Sequence, residues 1–432
     1  MREAEVVVRI PADPARLGLV VGAAEPNPGI FDAISHVLAG LPGDGPRAVR
    51  IFLPFVTPEA GRSLARDHRL DLVAAPAGLR FRGGIAGVCA AGAAGPEGFW
   101  QWYRTRSGDL PQPCGAIYPQ PGWEAGLVGH SAFGMRSAAV AGRIPAGFAL
   151  RPLGPIDSGF ARFAAEVPAD SERLRVVVQG NGFDPLLMAA CRELLDALPL
   201  AATRHVQLVW PYAGARESSV PLRELAALLD APVVAPAAGI TLHPNGHDLM
   251  AAHEGGALGH WVRFTSDRDP LPHGPLSPSP GWGPQLRQRI AALPQGVQAA
   301  QAPSGVHLRG SWSSGLEALA GALPPERGGV TLLADGDALH SGDRDRVFTT
   351  LDGFGHQLLR GVRVVMRSAD VGESHCLAQV LADRLNVRLL AATTESIVQA
   401  LGGQDGRVRP AALVWRRYMP RARSLTRGVT AA

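Results

Sequence analysis

Short unbroken apolar runs alternate along this chain with stretches of helical period. A first set of runs reads "LGLVVGAA" (17–24), "LRVVVQGNG" (174–182) and "GVTLLADGD" (329–337). A second set reads "VRIFLPFV" (49–56), "VQLVWPYA" (206–213) and "VRVVMRSA" (362–369). Runs this short and this continuous predict strands covered on both faces, as in a parallel sheet, rather than strands with one wet face. After each second run comes a helical pattern, "GRSLARDHRL", "VPLRELAALLD" and "CLAQVLADRL". A third set of strands follows as "LVAAPAG" (72–78), "PVVAPAAG" (232–239) and "RLLAATTES" (388–396).

The spacing of these runs is a repeat. From Gly22 to Pro54 is 32 residues, and from Gly180 to Pro211 and Gly336 to Arg367 is 31 each. Downstream of each third strand stands a Trp-x-Arg signature: Trp102 with Arg104, Trp261 with Arg263, and Trp415 with Arg417. It is expected to form a late edge strand or hairpin, the Trp capping the core and the Arg bonding a carboxylate or carbonyl. The first two copies share a Pro-rich exit closing on "PGW" at Trp123 and Trp282. Upstream, "IPAGFALR" (144–151) matches "APSGVHLR" (302–309), and "EAEVVVR" (3–9) is assigned to the same edge strand of the first copy. Equivalent positions recur every 154–160 residues. Strand–helix–strand alternation implies right-handed crossovers. The predicted fold is therefore α/β, with three tandem αβα sandwich units of mainly parallel sheet, each closed by its Trp-x-Arg segment. The units are expected at 1–125, 143–284 and 300–432, the last with an Arg-rich end.

Composition narrows the classes. An apolar fraction of 46% with 19% charged residues belongs to a globular chain. No Lys occurs, so all 42 basic residues are Arg, which reads as coding bias rather than chemistry. A net charge of +4 is too small to argue for nucleic acid. It is unevenly placed, however: after Asp405 there is no acid, while Arg407, Arg409, Arg416, Arg417, Arg421, Arg423 and Arg427 follow. Such an arm can bind phosphates or an acidic partner, or be a solvated tail. Four Cys without a CxxC pair argue against a disulfide framework or a Cys-based zinc site. The first residues do not read as a signal peptide and nothing reads as a membrane span. A cytoplasmic location is expected, with non-classical secretion as the other route.

In an open α/β sheet, ligands bind beyond the carboxyl ends of the strands. After the first strands those positions read Ala23-Ala24-Glu25, Asn181-Gly182-Phe183-Asp184 and Asp337-Ala338-Leu339-His340. After the second they read Pro54-Phe55-Val56-Thr57, Pro211-Tyr212-Ala213-Gly214 and Ser368-Ala369-Asp370. The order of elements, with "SADVG" before "LAQVLADRL" and "LAALLDAPVVAP" before a Trp strand and a Pro-rich exit, resembles degenerate caspase-like (CHAT-type) modules of actinobacterial polymorphic-toxin and type VII secretion-associated proteins. That resemblance implies a His after the first strand and a nucleophilic Cys at the tip of the second. Here His340 is the one candidate for the former, while the Cys position holds Ala369 and the nearest thiol is Cys376. A thiolate must lie within hydrogen-bond reach of its base. Cys376, two helical turns beyond the tip, is therefore expected to be a small buried apolar residue.

Other candidates are set beside a structural reading of the same residues. His243, His247, His253 and His260, with Asp248 and Glu254, fall within eighteen residues, and zinc needs three or four such ligands to converge. A polar surface hairpin explains them as well. "VVVQGNGFDP" joins a strand to a helix but lacks a phosphate-loop spacing. Asp335, Asp337, Asp343 and Asp345 form a cation site or a solvated capping loop. No cofactor motif is recognised. The function expected is a non-catalytic interaction scaffold or adaptor for a protein partner, set by the resemblance in a secretion or toxin system. The alternatives are a His340/Cys376 hydrolase in the third unit and nucleic-acid binding through the Arg-rich end.

Overall fold

A computed structural model describes residues 10, 16–22, 27–42, 48–53, 55–76, 79–82, 87–90, 99–105, 110–118, 120–124, 127, 132–133, 135, 139–243, 248–253, 258–280, 282–293, 298–309, 315–325, 329–335, 361–367, 371–402 and 408–420. The fold is mixed α/β, with sheets whose centres are parallel. The chain divides into two compact units, Met1–Leu249 with Val262–Leu271, and Met250–Trp261 with Pro272–Ala432.

Besides a small antiparallel sheet of Leu79–Arg82, Gly87–Ala90 and Ile117–Tyr118, the first unit holds two larger sheets. In one, the order is Leu17–Val20, Ala48–Phe52, Asp71–Ala74, Gln101–Tyr103 and Gln112–Pro113. Its first three strands are parallel and the last two antiparallel. In the other, a hairpin of Ala139–Ile144 and Gly147–Pro152 leads into the parallel strands Leu174–Val178, Val206–Val209 and Val233–Pro236. Trp261–Phe264 flanks the last of these.

The second unit holds a sheet of the same plan. Its hairpin is Gln298–Ala302 with Gly305–Arg309, followed by the parallel strands Val330–Asp335, Val362–Arg367 and Leu389–Ala392. Trp415–Tyr418 closes it, antiparallel. Alternate residues of these strands enter two separate cores: Leu332 and Val364 face one, Leu333 and Val365 the other. Continuous apolar runs are what such double coverage requires. Residues 3–9 lie outside the described residues.

Helices fall where the period places them, at Pro58–Asp67, Ser219–Leu229 and Val371–Leu385. Thr57 caps the first by accepting a hydrogen bond from the Ala60 N–H at 3.2 Å. Asp230 ends the second with φ 47°, in the left-handed region. Among the described residues no helix is long and apolar enough to cross a membrane.

Three features of the packing were not evident in the pattern. Each second strand carries a polar residue at its second apolar-run position: Arg50, Gln207 and Arg363, all buried. Register sets them beside Gly18, Arg175 and Thr331 of the first strands. Arg50 lies 3.7 Å from the Tyr118 ring centroid and 5.3 Å from that of Trp100. Arg175 donates to Gln207 Oε1 at 2.8 Å and to the Pro168 carbonyl, and its guanidinium is 3.6 Å from Asp170. Arg363 reaches the Pro324 carbonyl at 3.2 Å. The long apolar runs thus conceal a buried polar belt near the amino ends of the strands, whose guanidinium groups meet a carboxylate, carbonyls or aromatic rings.

The second feature concerns the "PGW" exits. Trp123 packs with Phe148, Leu150 and Val176, and donates its indole N–H to the Asp170 carbonyl at 2.8 Å. Trp282 packs with Val306, Leu308 and Leu332. Each exit therefore delivers its Trp into the core beneath the hairpin that follows it in sequence. Beside Trp123, Glu124 and Arg143 form a buried ion pair at 3.1 Å, and Glu124 also accepts from the Ala116 N–H at 2.7 Å. The equivalent positions beside Trp282 are Gly283 and Gln301, where the Gln301 amide donates to the Gly283 carbonyl at 3.5 Å. One contact site thus holds an ion pair in one copy and a neutral bond in the other.

The third feature is a pair of glycines at the hairpin turns. Gly147 has φ 140° and Gly305 φ 159°. A Cβ on Gly147 would sit 2.2 Å from the Arg175 carbonyl oxygen, and one on Gly305 2.0 Å from that of Thr331.

Candidate functional site

The carboxyl ends of the parallel strands are where an α/β sheet would place a ligand. In the sheet built on Leu174–Val178 this end is closed. Trp210 is fully buried, and the Phe183 ring stacks over it at 6.0 Å and 19°. The loops are laced together by backbone bonds: Gly182 N–H to the Pro211 carbonyl at 3.1 Å, Tyr212 N–H to that of Ala238 at 2.9 Å, and Gly214 N–H to that of Pro236 at 2.7 Å. Asp184, the acid of "GNGFDP", accepts from the Leu186 and Leu187 N–H groups at 2.8 and 3.4 Å and is a helix cap. The phosphate-loop reading of that stretch thus gives way to a capping role.

In the sheet built on Ala48–Phe52, Ala23–Glu25 and Pro54 lie outside the described residues. Val56 is buried in the core, and Thr57, exposed, caps the helix that follows.

The sheet built on Val330–Asp335 differs. Asp335 and His307 are both buried, with Nε2 to Oδ2 at 3.4 Å. Their equivalents in the preceding sheet are Ala149 and Gln179, so the pair is particular to this copy. Asp335, expected in a solvated or cation-binding turn, instead ends the buried strand Val330–Asp335, and no sequence motif marks His307. The register, which sets His307 opposite Leu333 two residues short of Asp335, is what brings them together. His340, Asp337, Asp343, Asp345 and Ser368–Asp370 lie outside the described residues.

Cys376 is a correction: it is exposed on its helix, not buried. A helix of 15 residues on the sheet surface turns part of its circumference to solvent, and Leu377, Ala378 and Leu381 take the buried side. Cys191, by contrast, is wholly buried, and burial pushes its thiol up to about 12. Cys114 is pushed up to about 11 by the same cause.

The histidine segment is also corrected. His243 is buried and its N–H bonds the Asp248 carbonyl at 2.8 Å, so the segment is not a wholly polar surface hairpin. His253 is exposed, and His247 lies outside the described residues. Among the described residues no three His, Cys, Asp or Glu side chains converge to hold a metal.

The Trp-x-Arg signature divides likewise. Trp261 is fully buried, while Trp102 and Trp415 are half-buried. Arg104, Arg263 and Arg417 are exposed. Arg104 lies 4.2 Å over the Trp102 ring. Alternation sets Val262 and Phe264 on one face of their strand, in the core, and Trp261 and Arg263 on the other, where the Trp is covered and the Arg faces water.

No family model, curated protein or solved structure matches this chain.

Proposed function

We propose that the protein is a non-catalytic interaction scaffold, its three α/β units in tandem presenting surface to a protein partner. The observation that carries this is the filled strand end over Trp210, where aromatic stacking and cross-loop backbone bonds occupy the place a substrate would take. The other two strand ends carry different residues, which a shared catalytic device would not. The resemblance to caspase-like modules would set the scaffold in a secretion or toxin system.

The rival reading, a Cys-dependent hydrolase in the third unit, is favoured by the exposure of Cys376. Thiol labelling separates the two. With iodoacetamide at neutral pH, Cys376 is expected to react at the rate of an ordinary exposed thiol, and Cys191 only on unfolding. Labelling of Cys376 about a hundredfold faster than a free thiol, and slowed by His340→Ala or His307→Ala, would replace the scaffold with an enzyme.

A further inference from the structure

We infer that His253, His260 and Arg287 form a binding site for a phosphate group, free or carried on a small ester. Such a site is independent of the scaffold role and goes beyond it.

The two histidines stand on a hairpin that is held in place. Ala252 bridges Leu258 antiparallel, the Gly259 N–H bonds the Ala251 carbonyl at 2.9 Å, and the Ala251 N–H bonds that of Pro275 at 2.8 Å. Leu258 packs against the core that holds Leu316, Leu319 and Ala320. His253 and His260, each one residue past a paired position, are exposed.

Arg287 comes from the helix Gly283–Ala291. Trp282 and Leu286 of that segment enter the core, and Arg287 is half-buried next to them in sequence. Its Nε is buried and has no hydrogen-bond partner. The charges that act on His260 are those of Arg287, on the helix, and His253, on its own hairpin, both of its own sign. Partial burial, then those two charges, hold the His260 pKa below the ordinary imidazole value. Partial burial also lowers that of Arg287, and among the described residues no acid offsets it.

A cation kept partly from water without a counter-charge is unfavourable, and like charges beside it add to the penalty. A bound anion removes both effects. It accepts hydrogen bonds from the guanidinium fork and the imidazole N–H groups, and it holds the protons on the rings. A phosphate suits this better than a carboxylate, having up to two charges and three acceptor oxygens with which to meet donors from two elements at once. The guanidinium repels a cation, so histidines that suggested zinc in the sequence are anion donors here.

The probe is inorganic phosphate, titrated at constant ionic strength into the full chain carrying 13C-labelled histidine and followed by NMR. Saturable shifts of the His253 and His260 ring signals are expected, with both pKa values raised by at least about half a unit. Sulfate, a stand-in of fixed charge, is expected to bind at least about tenfold more tightly at pH 5.5 than at pH 8, where the rings are neutral. Arg287→Gln is expected to weaken phosphate binding at least about tenfold. With no ligand present it should also raise the His260 pKa, by removing a like charge. An unchanged His260 titration in that variant would show that the two groups do not face each other, and so overturns the inference. A failure of both rings to respond to phosphate, or the same response to chloride, overturns it as well. Glycerol 3-phosphate distinguishes the sources: tighter binding than the free ion assigns an ester, weaker binding the ion itself, and either retains the site.

Discussion

Replacing Arg143 with Met is expected to destabilise the fold by about 3–5 kcal/mol at pH 8 and by roughly 1–2 kcal/mol at pH 5. Arg143 and Glu124 are both nearly inaccessible, at 4% and 1% side-chain exposure. Removing one partner of a buried pair strands the other's charge in a medium that solvates it poorly. Glu124 has a way out, because it can take up a proton. Burial already pushes its carboxyl up to about 7 in the intact pair, against the Ala116 N–H and Arg143, which pull it down. Without Arg143 it rises further, so at pH 5 the variant holds a neutral acid and loses chiefly packing and a hydrogen bond.

The sign in the unsubstituted protein follows from the same group. Its folded pKa lies above its unfolded value of 4.5, so the folded state binds the proton more tightly. The associated stability is fully present below about pH 4.5 and is lost as pH rises through about 7, to the extent of about 3 kcal/mol. Urea denaturation of both proteins at pH 5 and pH 8 checks this. An equal gap at the two pH values would show that Glu124 does not feel the loss of Arg143. Adding Glu124→Gln to Arg143→Met is expected to restore most of the deficit at pH 8, since no ionisable acid then remains unpaired.

Gly147→Ala is expected to cost about 2–5 kcal/mol, and Gly305→Ala a similar amount. Two effects combine. A φ of 140° or 159° lies where a Cβ is strained. The added methyl would also press on the backbone of the neighbouring parallel strand, at 2.2 Å and 2.0 Å from a carbonyl oxygen. Backbone in a sheet centre cannot swing aside as the end of a long side chain can. Two other glycines separate the causes. Gly154, φ 137° with open space around it, should cost only about 1–2 kcal/mol from strain. Gly142, in the same hairpin with ordinary φ and nothing within 4 Å, should be near neutral. Thermal denaturation of the four alanine variants should rank them in that order, and a Gly147→Ala protein as stable as Gly142→Ala would contradict the close approach.

Much of this was legible beforehand because it is local. A strand buried on both faces must be apolar throughout, so "LRVVV", "VQLVW" and "TLLAD" announced themselves, and the helices between them carried their own period and caps. The match of "IPAGFALR" to "APSGVHLR" marked a recurrent strand expected at an edge, whereas Gly147–Pro152 and Gly305–Arg309 each pair on both sides, because a preceding strand folds back on them as a hairpin. The recurrent polar residue in otherwise apolar runs, at Arg50, Gln207 and Arg363, does not break an apolar average, so the pattern does not mark it as buried.

What lay beyond the sequence was which side chains meet. Glu124 finds Arg143 because an exit segment folds under the next hairpin. His307 finds Asp335 because two parallel strands pair in one register and not another, and Cys376 is exposed because of the rotation of one helix. Periodicity along a chain depends on neighbours a few residues apart, and it determined the α/β elements and their repetition. Register, helix rotation and the closure of the strand end by Phe183 over Trp210 depend on contacts between distant segments. Those contacts are settled only when the whole core packs, and so the chemistry of this protein's surfaces was decided there.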